Sequence, residues 1–328
     1  MNVWNCVINK DGQLISTPSS ATSVTAERAV ALGYFDGVHL GHQKIFSTMC
    51  DKAQEMGLRT AVQTFANPPA SKSQNSLITT YSERCGIVSA WGVDDLFALP
   101  FNEKVKTMSA TDFLEVCVKN WMHARVVVVG EDYHFGKGRT GDLFLLRDWG
   151  KKNGIEVVAV KAELCEGRRI SSTWIRELIS EGNVEKVETL LDHPLAYAGV
   201  VEKGQQLGRK LGFPTANIRI EKQKIVPKFG VYASAYLYNG KLYHGLTNVG
   251  MRPTVNKDDD SPLTETMIFR EHFQLYGTRG TVFLLKYIRP ERQFGSVEEL
   301  KKQMLLDQKE VWQYHMDRQK TVRFEGYM

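Results

Sequence analysis

His39 and His42 stand three positions apart in the stretch Gly33-Tyr34-Phe35-Asp36-Gly37-Val38-His39-Leu40-Gly41-His42. Imidazole changes charge near neutral pH and can give a hydrogen bond or a proton to an anion. Two such rings at this spacing near a helix start share one face, so both can donate to one phosphate. Glycines at 33, 37 and 41 let the backbone come close to it. The blander reading is a strand, a glycine-rich turn and a helix with two surface histidines. Against it, two of only eight histidines fall within four positions beside three glycines.

Two further clusters carry polar groups suited to phosphate. In Ile170-Ser171-Ser172-Thr173-Trp174-Ile175-Arg176 short hydroxyl donors precede a guanidinium at a helix start, which makes either a phosphate grip or plain helix caps. In Gly204-Gln205-Gln206-Leu207-Gly208-Arg209-Lys210-Leu211-Gly212-Phe213-Pro214-Thr215-Ala216-Asn217 the Gly-Lys-Ser/Thr of a Walker A loop is missing. Backbone N–H groups around Gly204, Gly208 and Gly212 can still wrap phosphates. Thr215 and Asn217, two apart at a strand start, project to one face, and their hard oxygens suit Mg²⁺.

These residues need elements to position them. The apolar run Ala29-Val30-Ala31-Leu32 predicts a strand, and Ile45, Phe46, Met49, Ala53 and Met56 recur at helical spacing until Gly57. The two histidines therefore fall at a helix N-terminus, where unpaired N–H groups and the macrodipole favour an anion by ~0.3–2 kcal/mol. From 29 to 160 strands and helices alternate: strands over 58–65, 95–99, 125–129 and 155–160, helices over 80–91 and 109–121, the latter capped by Ser109. Alternation of this kind predicts a parallel sheet covered by helices, with ligands beyond the carboxyl ends of its strands. After helices at 173–180 and 184–191 the period changes. Six strands, 197–202, 216–220, 231–238, 241–249, 264–269 and 281–287, with the hairpin signal Asn239-Gly240, predict a small antiparallel barrel, and a helix over 296–318 closes the chain.

A length of 328 residues suggests two domains, divided at 190/191. The net charge of +5 suits anionic ligands, but no basic run carries interleaved aromatics, which argues against nucleic acid. Five scattered cysteines, an odd number with no Cys-x-x-Cys pair, argue for a reducing cytoplasm. No stretch approaches eighteen apolar residues, so neither a membrane span nor a signal peptide is expected. Self-association is not legible.

The stretch 33–42 resembles the HxGH signature of the nucleotidyltransferase superfamily, in the wording of its bacterial FAD synthetase branch. Gly130-Glu131-Asp132-Tyr133-His134-Phe135-Gly136 resembles that family's strand-end loop, with Tyr133 for the usual Phe, and Ser171-Ser172-Thr173-Trp174-Ile175-Arg176 resembles its next motif. Phe65-Ala66-Asn67-Pro68-Pro69 departs from the usual Phe-x-Pro-His-Pro. The runs 208–217, Gly230-Val231-Tyr232-Ala233 and Thr247-Asn248-Val249-Gly250-Met251-Arg252-Pro253-Thr254 resemble riboflavin kinases, as does the segment 265–277, with Met267 for the usual His and Arg270 for the usual Asp.

The resemblance implies a Rossmann-like nucleotidyltransferase domain followed by a six-stranded riboflavin-kinase barrel and a C-terminal helix. The implied activity is bifunctional: riboflavin kinase and FMN adenylyltransferase, with ATP, riboflavin and FMN as substrates and Mg²⁺ as cofactor. It implies catalytic roles for His39, His42, Arg176 and, as general base, Glu265. It places ATP on Gly33, Phe35, Asp36, Gly37, Gly41, Ser171, Ser172, Thr173, Gly204, Gly208 and Gly212. Flavin falls to Asn67, Asp132, Tyr133, Phe135, Asn248, Arg252, Pro253 and Thr254, and the metal to Thr215 and Asn217. Two alternatives stay open: a kinase whose first domain has weakened, and a flavin-binding regulatory protein with little turnover.

Overall fold

Strand β3 (Arg28–Leu32) is buried along its whole length, as its unbroken apolar run predicts. In this computed structural model, which describes residues 1–8, 14–18, 25–68, 76–203, 215–251, 262–269, 275–318 and 322–327, the chain divides into two units. The first runs to residue 171 and the second from 172 onward, with a short segment ending at Ile78 joining the second.

The first unit holds β1 (Asn2–Ile8), β2 (Leu14–Pro18), β3, β4 (Arg59–Phe65), β5 (Asp95–Leu99), β6 (Ala124–Gly130) and β7 (Glu156–Val160) in the order β2-β1-β5-β4-β3-β6-β7. From β1 to β7 all neighbours are parallel, and only the β1/β2 edge is antiparallel. The sheet thus starts earlier than residue 29. Its first strand pairs with a strand some ninety residues away, Asn2 opposite Asp95, a partnership local periodicity cannot reveal.

Helix α1 (Leu40–Met56) ends at Gly57 in the left-handed conformation, as predicted. Helix α2 (Tyr81–Ala90) begins with a capping box between Thr80 and Glu83. A short α3 (Glu103–Thr107) precedes α4 (Ala110–Asp112), where Ser109 accepts from the Asp112 N–H. There the sequence expectation needs correction: Phe113–Trp121 is a π-helix, with the Met122 N–H reaching back to the Cys117 carbonyl. Over so short a run Phe113, Leu114, Cys117 and Val118 stay on one buried face, so spacing does not distinguish it. Helix α5 (Leu143–Asn153), between Asp142 and Gly154 caps, and the hairpin β8 (Leu164–Cys165) and β9 (Arg168–Arg169) complete the unit. Its core includes fully buried Leu32, Phe97, Leu114, Val127 and Val129.

The second unit starts with α6 (Ser172–Glu181) and α7 (Val184–Leu191). Strands β10 (Leu195–Glu202), β11 (Thr215–Arg219), β12 (Gly230–Tyr238), β13 (Lys241–Met251), β14 (Pro262–Ile268) and β15 (Arg279–Arg289) form the closed barrel β10-β11-β14-β13-β12-β15, antiparallel throughout. Asn239 and Gly240 both take positive φ, 48° and 71°, as the tight hairpin between β12 and β13 requires. Helix α8 (Val297–Asp317) lays Val311 and Met304 on Val231, Ala233, Leu246 and Met267 of the barrel's outer wall. Among the described residues no helix is long and apolar enough to cross a membrane.

Candidate active sites

The turn between β3 and α1 is held in an uncommon backbone shape. Phe35 and Val38 have φ of 54° and 43°, a conformation that a β-branched valine adopts only under constraint. The constraint is visible. Buried Asp36 accepts from the Thr79 N–H at 3.1 Å, the Gly37 N–H donates to Thr79 Oγ1 at 2.9 Å, and Thr64 Oγ1 donates to the Tyr34 carbonyl at 2.8 Å. Asp36, which the resemblance places on ATP, also anchors the turn. Phe35 folds back so far that a Cβ on Gly33 would lie 2.7 Å from its ring.

The two histidines are brought together. His39 is the N-cap of α1, its Nδ1 accepting from the His42 N–H at 3.4 Å, and the two rings stack with centroids 3.6 Å apart and planes 18° apart. Phe35 closes the far side, edge-on to His42 at 5.2 Å. Two imidazolium ions this close would repel, whereas two neutral rings keep one N–H each, so both can donate towards an anion at the helix start. A Cβ on Gly41 would press on the His39 ring at 3.2 Å, which explains a glycine inside this helix.

At neighbouring strand ends the remaining candidates differ. Asn67 exchanges two hydrogen bonds with the Phe101 backbone, giving at 2.9 Å and accepting at 2.8 Å, and so ties the ends of β4 and β5. Asp132 pairs with Arg169 of the small hairpin at 2.6 Å. Tyr133 stacks on Phe135 with centroids 5.5 Å apart, and Phe135 is buried against Phe113 as part of the core. Burial pushes the Tyr133 phenol above its ordinary range.

Ser172, Thr173 and Arg176 lie on α6, which the fold groups with the second unit, while Ser171 ends the first. Trp174, Ile175, Leu178 and Ile179 form the buried face of α6, and Arg176 Nε donates to the Ser76 carbonyl at 2.6 Å.

On the barrel, Asn217 of β11 lies opposite Glu265 of β14, and Glu265 lies opposite Asn248 of β13. Residues directly opposite share a face, and Met267 and Leu246, on the same faces of their strands, pack beneath α8. Glu265 therefore sits on the outer wall. Thr215 Oγ1 donates to Glu265 Oε1 at 2.8 Å, and Asn248 Nδ2 donates to Glu291 Oε1 at 2.9 Å. The opposite face is a buried hydroxyl chain, Thr247 with Ser234 at 2.7 Å and with Thr266 at 2.9 Å, which stiffens the wall behind the carboxylate. A hydroxyl, an amide and a carboxylate on one face can take a proton from an alcohol beside a hard cation.

Two family models match this chain in the order of its two units: FAD synthetase over residues 21–174 and riboflavin kinase over 191–315. A bifunctional riboflavin kinase/FMN adenylyltransferase of Bacillus subtilis is 35% identical over 88% of this chain and 93% of its own length. The chain belongs to the bifunctional riboflavin kinase/FMN adenylyltransferase family. The Escherichia coli K12 member is 33% identical over 85% of this chain and 90% of its own. A solved structure from Streptococcus pneumoniae, described as a macrolide-efflux protein, has a TM-score of 0.80 at 30% identity, covering 89% of this chain and 96% of its own.

Of the residues that the family resemblance implies, Gly204, Gly208, Gly212, Arg252, Pro253 and Thr254 lie outside the described residues, as does Arg270. Three contributors have no place in the motifs: Thr79, which anchors the turn, Glu291, which holds Asn248, and Arg84. Arg84 is 1% exposed, yet it occupies a position on α2 in register with buried Ile87 and Val88. A cation on an apolar stripe was the available signal.

Proposed function

We propose that this chain divides its two reactions between the sites described above. As a member of its family it phosphorylates riboflavin with ATP, giving FMN and ADP, and adenylylates FMN with a second ATP, giving FAD and pyrophosphate. We assign adenylyl transfer to residues 1–190 and the kinase to 191–328. The ends of the two family models support this division, although α6 and α7 pack with the barrel.

In the kinase, Glu265 accepts the proton of the ribityl hydroxyl as that oxygen attacks the γ-phosphorus of ATP. The Thr215 bond fixes which carboxylate oxygen is occupied and leaves Oε2 for the substrate. This carboxylate–hydroxyl contact carries the assignment. The hydroxyl of Thr215 and the amide oxygen of Asn217 are hard donors that fit Mg²⁺, which keeps several waters and needs few protein ligands. Bound there, the ion would neutralise charge on the ATP phosphates. Gly204, Gly208 and Gly212 are assigned to the phosphates, and Asn248, Arg252, Pro253 and Thr254 to the flavin.

In adenylyl transfer a phosphate oxygen of FMN attacks the α-phosphorus of ATP and pyrophosphate leaves. His39, His42 and the first N–H groups of α1 donate to the charge that builds on the departing oxygens. Gly33, Phe35, Asp36, Gly37 and Gly41 shape that turn. Ser171, Ser172, Thr173 and Arg176 are assigned to ATP, and Asn67, Asp132, Tyr133 and Phe135 to FMN. Free thiols at Cys50, Cys85, Cys117 and Cys165 support a reducing, cytoplasmic setting. No nucleic-acid or membrane partner is assigned.

The test is a time course with riboflavin, ATP and Mg²⁺, resolving riboflavin, FMN and FAD by chromatography. FMN should rise and then give way to FAD. Glu265→Gln should abolish FMN formation and leave FAD synthesis from supplied FMN; loss of both refutes the division between sites.

A further inference from the structure

Arg84 is a buried guanidinium with incomplete company. Its Nη2 donates to the Phe65 carbonyl at 2.8 Å, while Nε and Nη1 have no hydrogen-bond partner among the described residues. The nearby Glu83 carboxylate is engaged by the Thr80 N–H at 2.9 Å, as the capping box requires. What surrounds the charge is aromatic: its carbon lies 4.8 Å from the Tyr34 ring centroid and 5.9 Å from that of Tyr81. Aromatic faces attract a cation but do not neutralise it. A buried charge left so incompletely paired is costly, and is kept where something else will meet it.

Its location says what that is. Tyr34 is the second residue of the histidine turn, and Phe65 is the last residue of β4, two before Asn67. Arg84 thus links two adjacent strand ends at the sheet edge where parallel sheets bind ligands. The Tyr34 and Phe65 rings lie 6.3 Å apart, and the Tyr34 carbonyl is already fixed by Thr64.

We propose that Arg84 is a positioning residue for adenylyl transfer. It fixes Tyr34 and Phe65, and lends positive charge to the edge that receives the nucleotide's phosphates. This rests on the assignment of that reaction to the histidine turn. Bound ATP and its leaving pyrophosphate supply the negative charge that the protein itself does not provide.

The experiment compares Arg84→Gln, which keeps a hydrogen-bond donor but no charge, with Arg84→Lys, which keeps the charge. FAD synthesis from supplied FMN is measured in the full-length protein at several KCl concentrations, with riboflavin phosphorylation as an internal control. Arg84→Gln should lower kcat/KM for ATP about tenfold or more, mainly through KM, and flatten its dependence on salt. Arg84→Lys should stay within about threefold of the parent, and FMN production should be unchanged in both. Parental FAD synthesis in Arg84→Gln overturns the proposal, and so do equal losses in both variants, since a role in charge must separate them. His42→Ala run alongside separates two kinds of failure. If it too leaves FAD synthesis intact, the histidine turn was wrongly assigned; if it alone loses activity, only the role of Arg84 fails.

Discussion

Arg28 of the seven-stranded sheet and Arg84 of helix α2 are both buried, and both lie against two aromatic rings. Arg28, at the amino end of β3, pairs with Asp95 at 2.9 Å and gives Nη1 to the Ala26 carbonyl at 2.6 Å. Asp95 in turn accepts from Arg59, Trp4 and Asn2, so one carboxylate joins the amino ends of β1, β3 and β4 to β5. At the carboxyl ends Arg84 has one carbonyl and no carboxylate among the described residues. The amino edge is closed electrostatically and serves stability. The carboxyl edge carries strain at Phe35 and Val38 and a cation with no carboxylate partner among the described residues, and it is the edge to which we assign ligands.

Removing the closed edge should give the largest effect. Asp95→Ala leaves Arg28 buried without its counter-ion and should cost about 3–5 kcal/mol of stability. Urea unfolding measures it. A midpoint close to the parent's would show that the amino edge is no more structural than the carboxyl edge, and the contrast would collapse. His42→Ala, at the open edge, should instead lower FAD synthesis by about a hundredfold, or about 2.7 kcal/mol in the barrier, with the urea midpoint nearly unmoved. Gly41→Ala sharpens the point because its two effects should differ in sign. An alanine favours the helix by up to about 1 kcal/mol, while its Cβ displaces the His39 ring from 3.2 Å. Unfolding should be as hard as before or harder, with FAD synthesis down about tenfold. Joint loss of stability and activity would place Gly41 in the scaffold.

How much of this was legible followed from the range of each interaction. The turn at 33–42, its helix and the stop at Gly57 are local, and so was the Asn239-Gly240 hairpin. Thr215, Asn217 and Glu265 are fifty positions apart at most, yet only the β11/β14 register puts them together on one face. The β1 strand was invisible because its partner begins at Asp95. Asp36 carries a carboxylate in a phosphate-like motif, and only the Thr79 contacts reveal an anchor. The π-helix at Phe113–Trp121 escaped because Phe113, Leu114, Cys117 and Val118 share one face at α and at π spacing alike.

Mild acid should separate the sheet from the barrel, with the smallest of these effects. Burial pushes the Asp95 carboxyl up, but hydrogen bonds from Arg59, Trp4, Arg28 and Asn2 outweigh it and hold it at about 2. Its contribution is present above the unfolded value near 4 and is lost between about pH 4 and 2. His315 of α8 behaves differently. Its ring lies 4.1 Å from that of His244 on β13, and burial, then His244, hold it at about 4, with Arg318 adding to them and the Gly245 and Ser234 backbone opposing. His244 is also lowered by burial. The folded barrel therefore resists protons that the unfolded chain binds near 6.5, so stability rises with pH through this window and falls as pH drops from 6.5 toward 4. Between pH 7.5 and 6 the loss should be about 1 kcal/mol. Urea unfolding across that range in the parent and in His315→Gln reads it directly. The slope should flatten in the variant, whereas an unchanged slope would move the mild-acid sensitivity away from the contact of α8 with the barrel.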